Sequence, residues 1–207
     1  MGDSMRAIVL SGGGARGSYQ IGVWKALRKL NIKYNIVVGT SVGALNGAFM
    51  VQGNYKDALK MWENMNFDLI FSDKFDEQVL TKNSNFELFK TYAKGILMNG
   101  GMDVSRMEAT MDRYINLDVF YQSKIDFGMV TVNLSNLKPI TITKDQIPKG
   151  KLKDYLMASA TCFPAFKIKR IDGDMYVDGG YYDNFPINLA LDMGADEIIG
   201  VDLDAVG

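Results

Sequence analysis

Twice within its first 53 residues the chain drives an apolar run into a glycine-rich turn and then into a helical pattern. RAIVLS (6–11) runs into GGGARG and SYQIGVWKALRKLN, and YNIVV (34–38) runs into GTSVG and ALNGAFMVQG. A short continuous apolar run closed by glycines reads as a buried strand. Ile21, Trp24, Leu27 and Leu30 recur at helical spacing, with basic residues in the last turn, where they oppose the helix dipole. Strand, helix, strand, helix in that order predicts a parallel sheet with helical crossovers.

The remainder fits the same class. The stretch 55–124 reads as mostly helical, in segments 54–65, 85–100 and 105–115, with Ser105 and Glu108 spaced as a capping box for the last. DFGMVTVNL and KPITIT read as neighbouring strands joined near Ser135-Asn136. A helix at 151–161, short strands around KIKR and MYVDGG, a helix at 187–194 and a buried strand EIIGVDL follow. The expected fold is α/β, a three-layer α/β/α sandwich around a mostly parallel central sheet. With 207 residues, one domain over 5–207 is expected, residues 1–4 being a cloning remnant ahead of Met5. Such a sheet usually has a helix after its last strand, so a C-terminally truncated chain is expected.

Composition limits the partners. Lys and Arg total 23 against 24 Asp and Glu, which gives no electrostatic case for nucleic acid or an anionic membrane. The first apolar run, Ala7 to Leu10, is too short for a signal peptide or a span, so a cytoplasmic, at most membrane-peripheral, protein is expected. The single cysteine, Cys162, excludes an internal disulfide and fits a reducing compartment. With no histidine to activate it, Cys162 is expected to be a buried structural thiol. No zinc-type cluster or EF-hand pattern appears, so neither a metal nor a cofactor is implied.

The first glycine turn matches G-x-G-x-x-G at Gly12, Gly14 and Gly17, in the position where a dinucleotide-binding domain carries it. That rival needs a ribose-binding carboxylate after the second strand, and none lies between Asp3 and Asp57. The same turn suits a second task. Backbone N–H groups of Gly12, Gly13, Gly14, Ala15, Arg16 and Gly17 at a helix start can converge on a developing oxyanion.

The second turn, Gly39-Thr40-Ser41-Val42-Gly43, has the G-x-S-x-G form of a nucleophile elbow and follows a strand, as an elbow requires. The chain contains no histidine, so Ser41 has no imidazole partner. The acceptors left are Asp, Glu, Lys, Tyr or a nearby cysteine. Asp178 is best placed, because a strand end, MYV, delivers it into Gly179 and Gly180; an ordinary Asp-Gly turn is the bland alternative. A solvated aspartate, which titrates near pH ~3.9, is a poor base, so it must sit within direct hydrogen-bond reach of the hydroxyl.

Together these residues resemble the patatin-like phospholipases, lipid acyl hydrolases that use a Ser-Asp dyad. The resemblance rests on the glycine loop 12–17, on GTSVG 39–43, on Asp178-Gly179-Gly180 followed by Asn184 and Pro186, and on ASATCFPAF (158–166) with Ser159 and Pro164 in place. It implies a patatin-like fold, Ser41 as the nucleophile, Asp178 as its base and the N–H groups around Gly13 and Gly14 as the oxyanion hole. It implies a phospholipid, lysophospholipid or other acyl ester substrate, met at a transient membrane or micelle surface, and no cofactor. Arg16 matches the family's basic position, and equally reads as a surface or salt-bridged arginine. Family members usually continue past this length. A non-catalytic lipid-binding or regulatory module on the same fold is the alternative, and a dinucleotide-binding domain trails both. The methionines and aromatics of 61–111 are expected to pack a core, or else Phe67, Leu69, Ile70, Phe71 and Phe75 line a lid or an interfacial surface for acyl chains.

Overall fold

In the computed structural model, which describes residues 4–65 and 100–204, both strand–glycine–helix units form. The segment 85–99 and the five residues from Phe67 to Phe75 considered for a lid lie outside the described residues. Strand β1 (Arg6–Leu10) leads through a 3-10 turn (Gly14–Gly17) into α1 (Ser18–Lys29). Strand β2 (Ile36–Thr40) leads through Ser41 into α2 (Val42–Gln52), which Gly53 ends in the left-handed conformation. Helices α3 (Tyr55–Glu63), α4 (Ser105–Tyr114) and α5 (Leu117–Gln122) follow, then β3 (Asp126–Asn133) and β4 (Lys138–Thr143). The chain continues with α6 (Leu152–Ser159), β5 (Lys169–Ile171), β6 (Asp174–Asp178), a 3-10 turn (Gly179–Tyr181), α7 (Ile187–Asp192) and β7 (Glu197–Val201).

One expected local device does not form. Ser105 is the first residue of α4, and its N–H donates to Asp103 Oδ1 (2.8 Å), so the carboxylate two residues earlier does the work of a cap. Glu108 instead accepts from Lys169 Nζ (2.8 Å), which also meets Asp154 (3.0 Å). A half-buried ammonium between two helices needs both carboxylates, and that demand outweighs one helix-end hydrogen bond.

The seven strands form one sheet in the order β5-β6-β3-β2-β1-β7, with β4 paired to β3. β7, β1, β2 and β3 are mutually parallel, β4 and β6 run antiparallel to β3, and β5 runs antiparallel to β6. Strand β3 is the branch point. One of its edges carries β4 over Gly128–Asn133. The other edge is shared end to end, by β2 over Asp126–Val130 and by β6 over Thr131–Asn133. The C-terminal ends of β2 and β6 therefore meet on one edge of one strand.

Alternation along the strands builds the layers. Ile8, Leu10, Val37, Phe127 and Met129 face a large core with Trp24, Phe49, Phe120 and Leu156 from α1, α2, α5 and α6. Ala7, Val9, Ile36, Val38 and Val130 face the other way, onto Leu189 and Ala190 of α7. Burial on both faces is why β1 and β2 read as unbroken apolar runs. Helix α2 is buried on all sides except at Gln52, which accounts for a sequence that is apolar but for Asn46 and Gln52. Met61, Met102 and Met111 pack into the large core, as expected of the methionines there.

Phe127 is fully buried and meets Phe120 edge-on with ring centroids 5.3 Å apart. Phe127→Ala is expected to cost about 3–5 kcal/mol through lost burial and the cavity left behind. Urea denaturation would read this as a lower midpoint at an unchanged slope.

Candidate active site

The junction of β2 and α2 is built to hold one side chain in the open. Ser41 has φ 56° and ψ −127°, a conformation a non-glycine residue adopts only when its surroundings impose it. Two glycines impose it here. A Cβ on Gly43 would lie 2.3 Å from the Leu10 carbonyl oxygen, and one on Gly39 would lie 2.4 Å from the backbone of Gly43. The turn therefore closes against the end of β1 and against itself. The Ser41 N–H donates to Ser159 Oγ (2.9 Å), whose own hydroxyl donates to the Val130 carbonyl (2.7 Å). The last residue of α6 thus anchors the turn from below. Thr40 Oγ1 donates to the Asp183 carbonyl (2.8 Å), tying the elbow to the segment after β6.

The shared edge of β3 sets where Asp178 lies. Thr40 pairs with Val130 and Asp178 pairs with Thr131, so the ends of β2 and β6 fall on successive residues of β3. Ser41 follows Thr40 directly, and its Oγ donates to Asp178 Oδ2 at 2.7 Å. The other carboxylate oxygen accepts from the Gly180 N–H (2.8 Å). Asp178 is only 6% exposed. Burial pushes its carboxyl above the ordinary carboxylate range, while the bonds from the Ser41 hydroxyl and the Gly180 N–H pull part of the way back. Gly179 lets β6 end this close to β3, because a Cβ there would be 2.2 Å from the Val130 carbonyl oxygen.

The structure sorts the six residues of the glycine loop into separate jobs. Gly12 has its N–H bonded to the Asn184 carbonyl (3.0 Å), and a Cβ there would lie 3.1 Å from Ser41 Cβ. Its task is close approach. Gly17 packs against Val42 and the Trp62 ring, where a Cβ would come within 2.4 Å and 2.9 Å of side-chain atoms. Ala15 and Arg16 are exposed and line the cavity that Ser41 opens into; Arg16 lies 3.6 Å from Asp204 and donates through Nε to the Gly13 carbonyl (3.4 Å). Gly13 and Gly14 lie between Gly12 and Ala15. Among the described residues, neither N–H finds a protein acceptor, and both residues line the cavity that Ser41 opens into.

That cavity has a volume of about 800 Å³. Ser41, Asp178 and loop residues Gly12 to Arg16 line it. Leu45, Met61, Trp62, Met65, Met107 and Phe166 supply apolar wall. Elbow residue Val42 and DGG residue Gly180 also line it. Cys162 corrects an expectation. It is exposed and lines the same cavity, with Sγ 3.5 Å from the Tyr181 hydroxyl, which itself donates to the Phe163 carbonyl. The reason is local: Thr161 caps the end of α6 by bonding back to Met157 (2.8 Å), and the chain then turns outward, carrying Cys162 away from the core.

Two buried polar residues at this site escaped the sequence reading, Gln20 and Asn46. Each is an amide set among the apolar residues of its helix's buried face, and that mismatch was the available signal.

The patatin-like phospholipase family model matches residues 8–191. The chain is 30% identical over 199 residues to lysophospholipase nte1 of Aspergillus terreus, covering 96% of this chain and 12% of that protein. It is 29% identical over 211 residues to patatin-like phospholipase domain-containing protein 6 of Homo sapiens, covering 95% of this chain and 13% of that protein. The chain thus spans about one eighth of the length of these curated relatives. In fold it resembles VipD from Legionella pneumophila, with a TM-score of 0.64 at 17% identity over 96% of this chain and 49% of that one. The family match runs from the first strand through the glycine loop, the Ser41 elbow and Asp178, and the chain belongs to the patatin-like phospholipase family.

Proposed function

We propose that this chain hydrolyses acyl esters of lipids, as a phospholipase A, lysophospholipase or carboxylesterase, through a covalent acyl-Ser41 intermediate with Asp178 as general base. The observation that carries the reading is the 2.7 Å hydrogen bond from Ser41 Oγ to Asp178 Oδ2 in the wall of a largely apolar cavity. The relatives named lysophospholipase and patatin-like phospholipase support a lipid ester as the substrate class.

In the reaction, the Ser41 hydroxyl attacks the acyl carbonyl as its proton passes to Asp178. The carbonyl oxygen becomes an oxyanion, which accepts hydrogen bonds from the Gly13 and Gly14 N–H groups. Collapse of the tetrahedral intermediate expels the alcohol, which leaves with the proton held by Asp178. A water molecule then gives its proton to Asp178 and attacks the acyl-serine, and the second collapse returns Ser41 and releases the fatty acid. The work demands much of a carboxylate. Burial helps, because a carboxylate short of solvent is a stronger base than one in water, and direct contact spares it the reach an imidazole would supply. The cavity, about 800 Å³ with an apolar wall, has the size and lining to take an acyl chain.

Ser41→Ala is expected to abolish labelling by a fluorophosphonate probe and to lower hydrolysis of a short-chain nitrophenyl ester at least ~10³-fold, with the circular dichroism spectrum unchanged. Labelling that survives the substitution overturns the assignment. Hydrolysis by the native chain no faster than by the Ser41→Ala variant would leave a lipid-binding module instead.

The pH dependence follows from the raised pKa of Asp178. The base works only when ionised, so kcat/KM should rise with pH through one limb lying above the ordinary carboxylate range, with no limb owed to histidine. Stability should move the opposite way. The folded state holds the Asp178 proton more tightly than the unfolded chain, so this contribution is present in acid and lost as pH rises through the raised value. Asp178→Asn should therefore eliminate hydrolysis yet raise Tm at neutral pH, and the gain should shrink in acidic buffer. Differential scanning fluorimetry across that range measures it.

A further inference from the structure

The loop carrying Gly13 and Gly14 is held from behind by a chain of buried side-chain amides. The Trp62 indole Nε1 donates to Asn46 Oδ1 (2.9 Å). Asn46 Nδ2 donates both to Gln20 Oε1 (2.8 Å) and to the Gly17 carbonyl (3.0 Å). Gln20 Nε2 donates to the Ser11 carbonyl (2.8 Å). Gln20 and Asn46 are at most 1% exposed. The carbonyls reached, those of Ser11 and Gly17, bracket the glycine loop on either side.

The direction of the chain is fixed by chemistry. An indole N–H can only donate, so it turns the Asn46 oxygen toward α3 and the Asn46 NH2 toward the loop. That NH2 in turn sets the Gln20 oxygen inward and leaves the Gln20 NH2 for Ser11. One further bond completes the arrangement. Ser11 Oγ accepts from the Leu203 N–H (2.7 Å) and donates to the Gly12 carbonyl (3.1 Å). In a trans peptide the carbonyl and the next N–H point in opposite directions, so pinning the Gly12 carbonyl inward turns the Gly13 N–H outward. Gly13 lines the cavity beside Ser41.

We propose that Asn46 and Gln20 are positioning residues for the oxyanion loop, and that Trp62, which lines the acyl cavity, fixes their orientation. The proposal rests on the reading of Ser41 as nucleophile and of Gly13 and Gly14 as oxyanion donors. It extends the machinery beyond the groups that touch substrate, to two amides on α1 and α2 and one indole on α3. A scaffold role alone would make these residues matter for folding and for every ligand equally. A positioning role makes them matter most when negative charge sits on the carbonyl oxygen.

A matched pair of ligands separates the two roles. A long-chain alkyl trifluoromethyl ketone forms a bond from its carbonyl carbon to Ser41 Oγ, gives its carbonyl oxygen the negative charge and passes the Ser41 proton to Asp178. The secondary alcohol of the same chain fills the cavity without forming that bond. Asn46→Ala and Gln20→Met should each weaken the ketone ~10-fold or more, with the alcohol changed by less than ~2-fold. Because both act through one chain, the double variant should be no worse than the worse single one. Equal loss for both ligands, or a lower Tm with the affinity ratio unchanged, overturns the proposal. If neither buried variant folds, Trp62→Phe keeps a ring on the wall, removes the indole donor and takes the same readout. The native chain is the control. If fluorophosphonate fails to label Ser41 and the ketone binds no better than the alcohol, the hydrolase reading falls and this proposal with it; a labelled Ser41 with an unchanged ratio in the variants removes the positioning role alone.

Discussion

Everything at this site depends on the pairing of one strand. β3 gives one edge to two strands in succession, and the seam falls between Val130 and Thr131, where β2 ends against the first and β6 ends against the second. Two strand termini far apart in sequence are thereby brought together by backbone hydrogen bonds, before any side chain contributes. The Ser41–Asp178 bond at 2.7 Å is the result. Ser159 reinforces the seam, because its hydroxyl reaches the Val130 carbonyl while its oxygen accepts the Ser41 N–H. One residue of β3 thus positions the serine through two independent routes.

The surroundings bear the strain this entails. Ser41 sits in left-handed backbone space, and Asp178 carries a carboxyl where water scarcely reaches. Each alone would destabilise the fold. What holds them is packing without slack. Glycine positions 39, 43 and 179 each leave no room for a Cβ, so the backbone around the pair has few ways to relax. Stability is given up at these points for geometry, with the cost spread over a large core in which β1, β2, α2 and β3 are almost entirely buried.

Much of this was legible in the sequence because the controlling residues are glycines and apolar runs, whose physical requirements are local. GGGARG and GTSVG after apolar strands announced a parallel sheet and the end of it where a ligand would sit. DGG announced a carboxylate at a strand end. What the sequence left hidden depends on distant partners. The Ser105–Glu108 spacing promised a cap, yet Lys169 arrives from β5 and takes Glu108. Cys162 reads as a buried thiol by composition, and only the outward turn after α6 exposes it. Gln20 and Asn46 sit 26 positions apart on different helices, so no local pattern joins them. Their common object, the back of the glycine loop, exists only once the sheet has formed.

The shared edge of β3 also bears on how such a chain can change over generations. Adding or removing one residue at the Val130–Thr131 seam would draw the two strand ends out of step and turn every later side chain of β3 to the opposite face of the sheet. The β3–β4 connection escapes that restriction only at its tip, Asn136 and Leu137, since Leu134 and Ser135 are still bonded to Met175 of β6 (2.7 and 2.9 Å) while β4 lies along the far edge and touches neither strand end. Length variation in descendants of this chain is therefore admissible at the tip of that hairpin and forbidden a few residues before it. The sheet itself separates the part of the chain that can drift in length from the part that cannot.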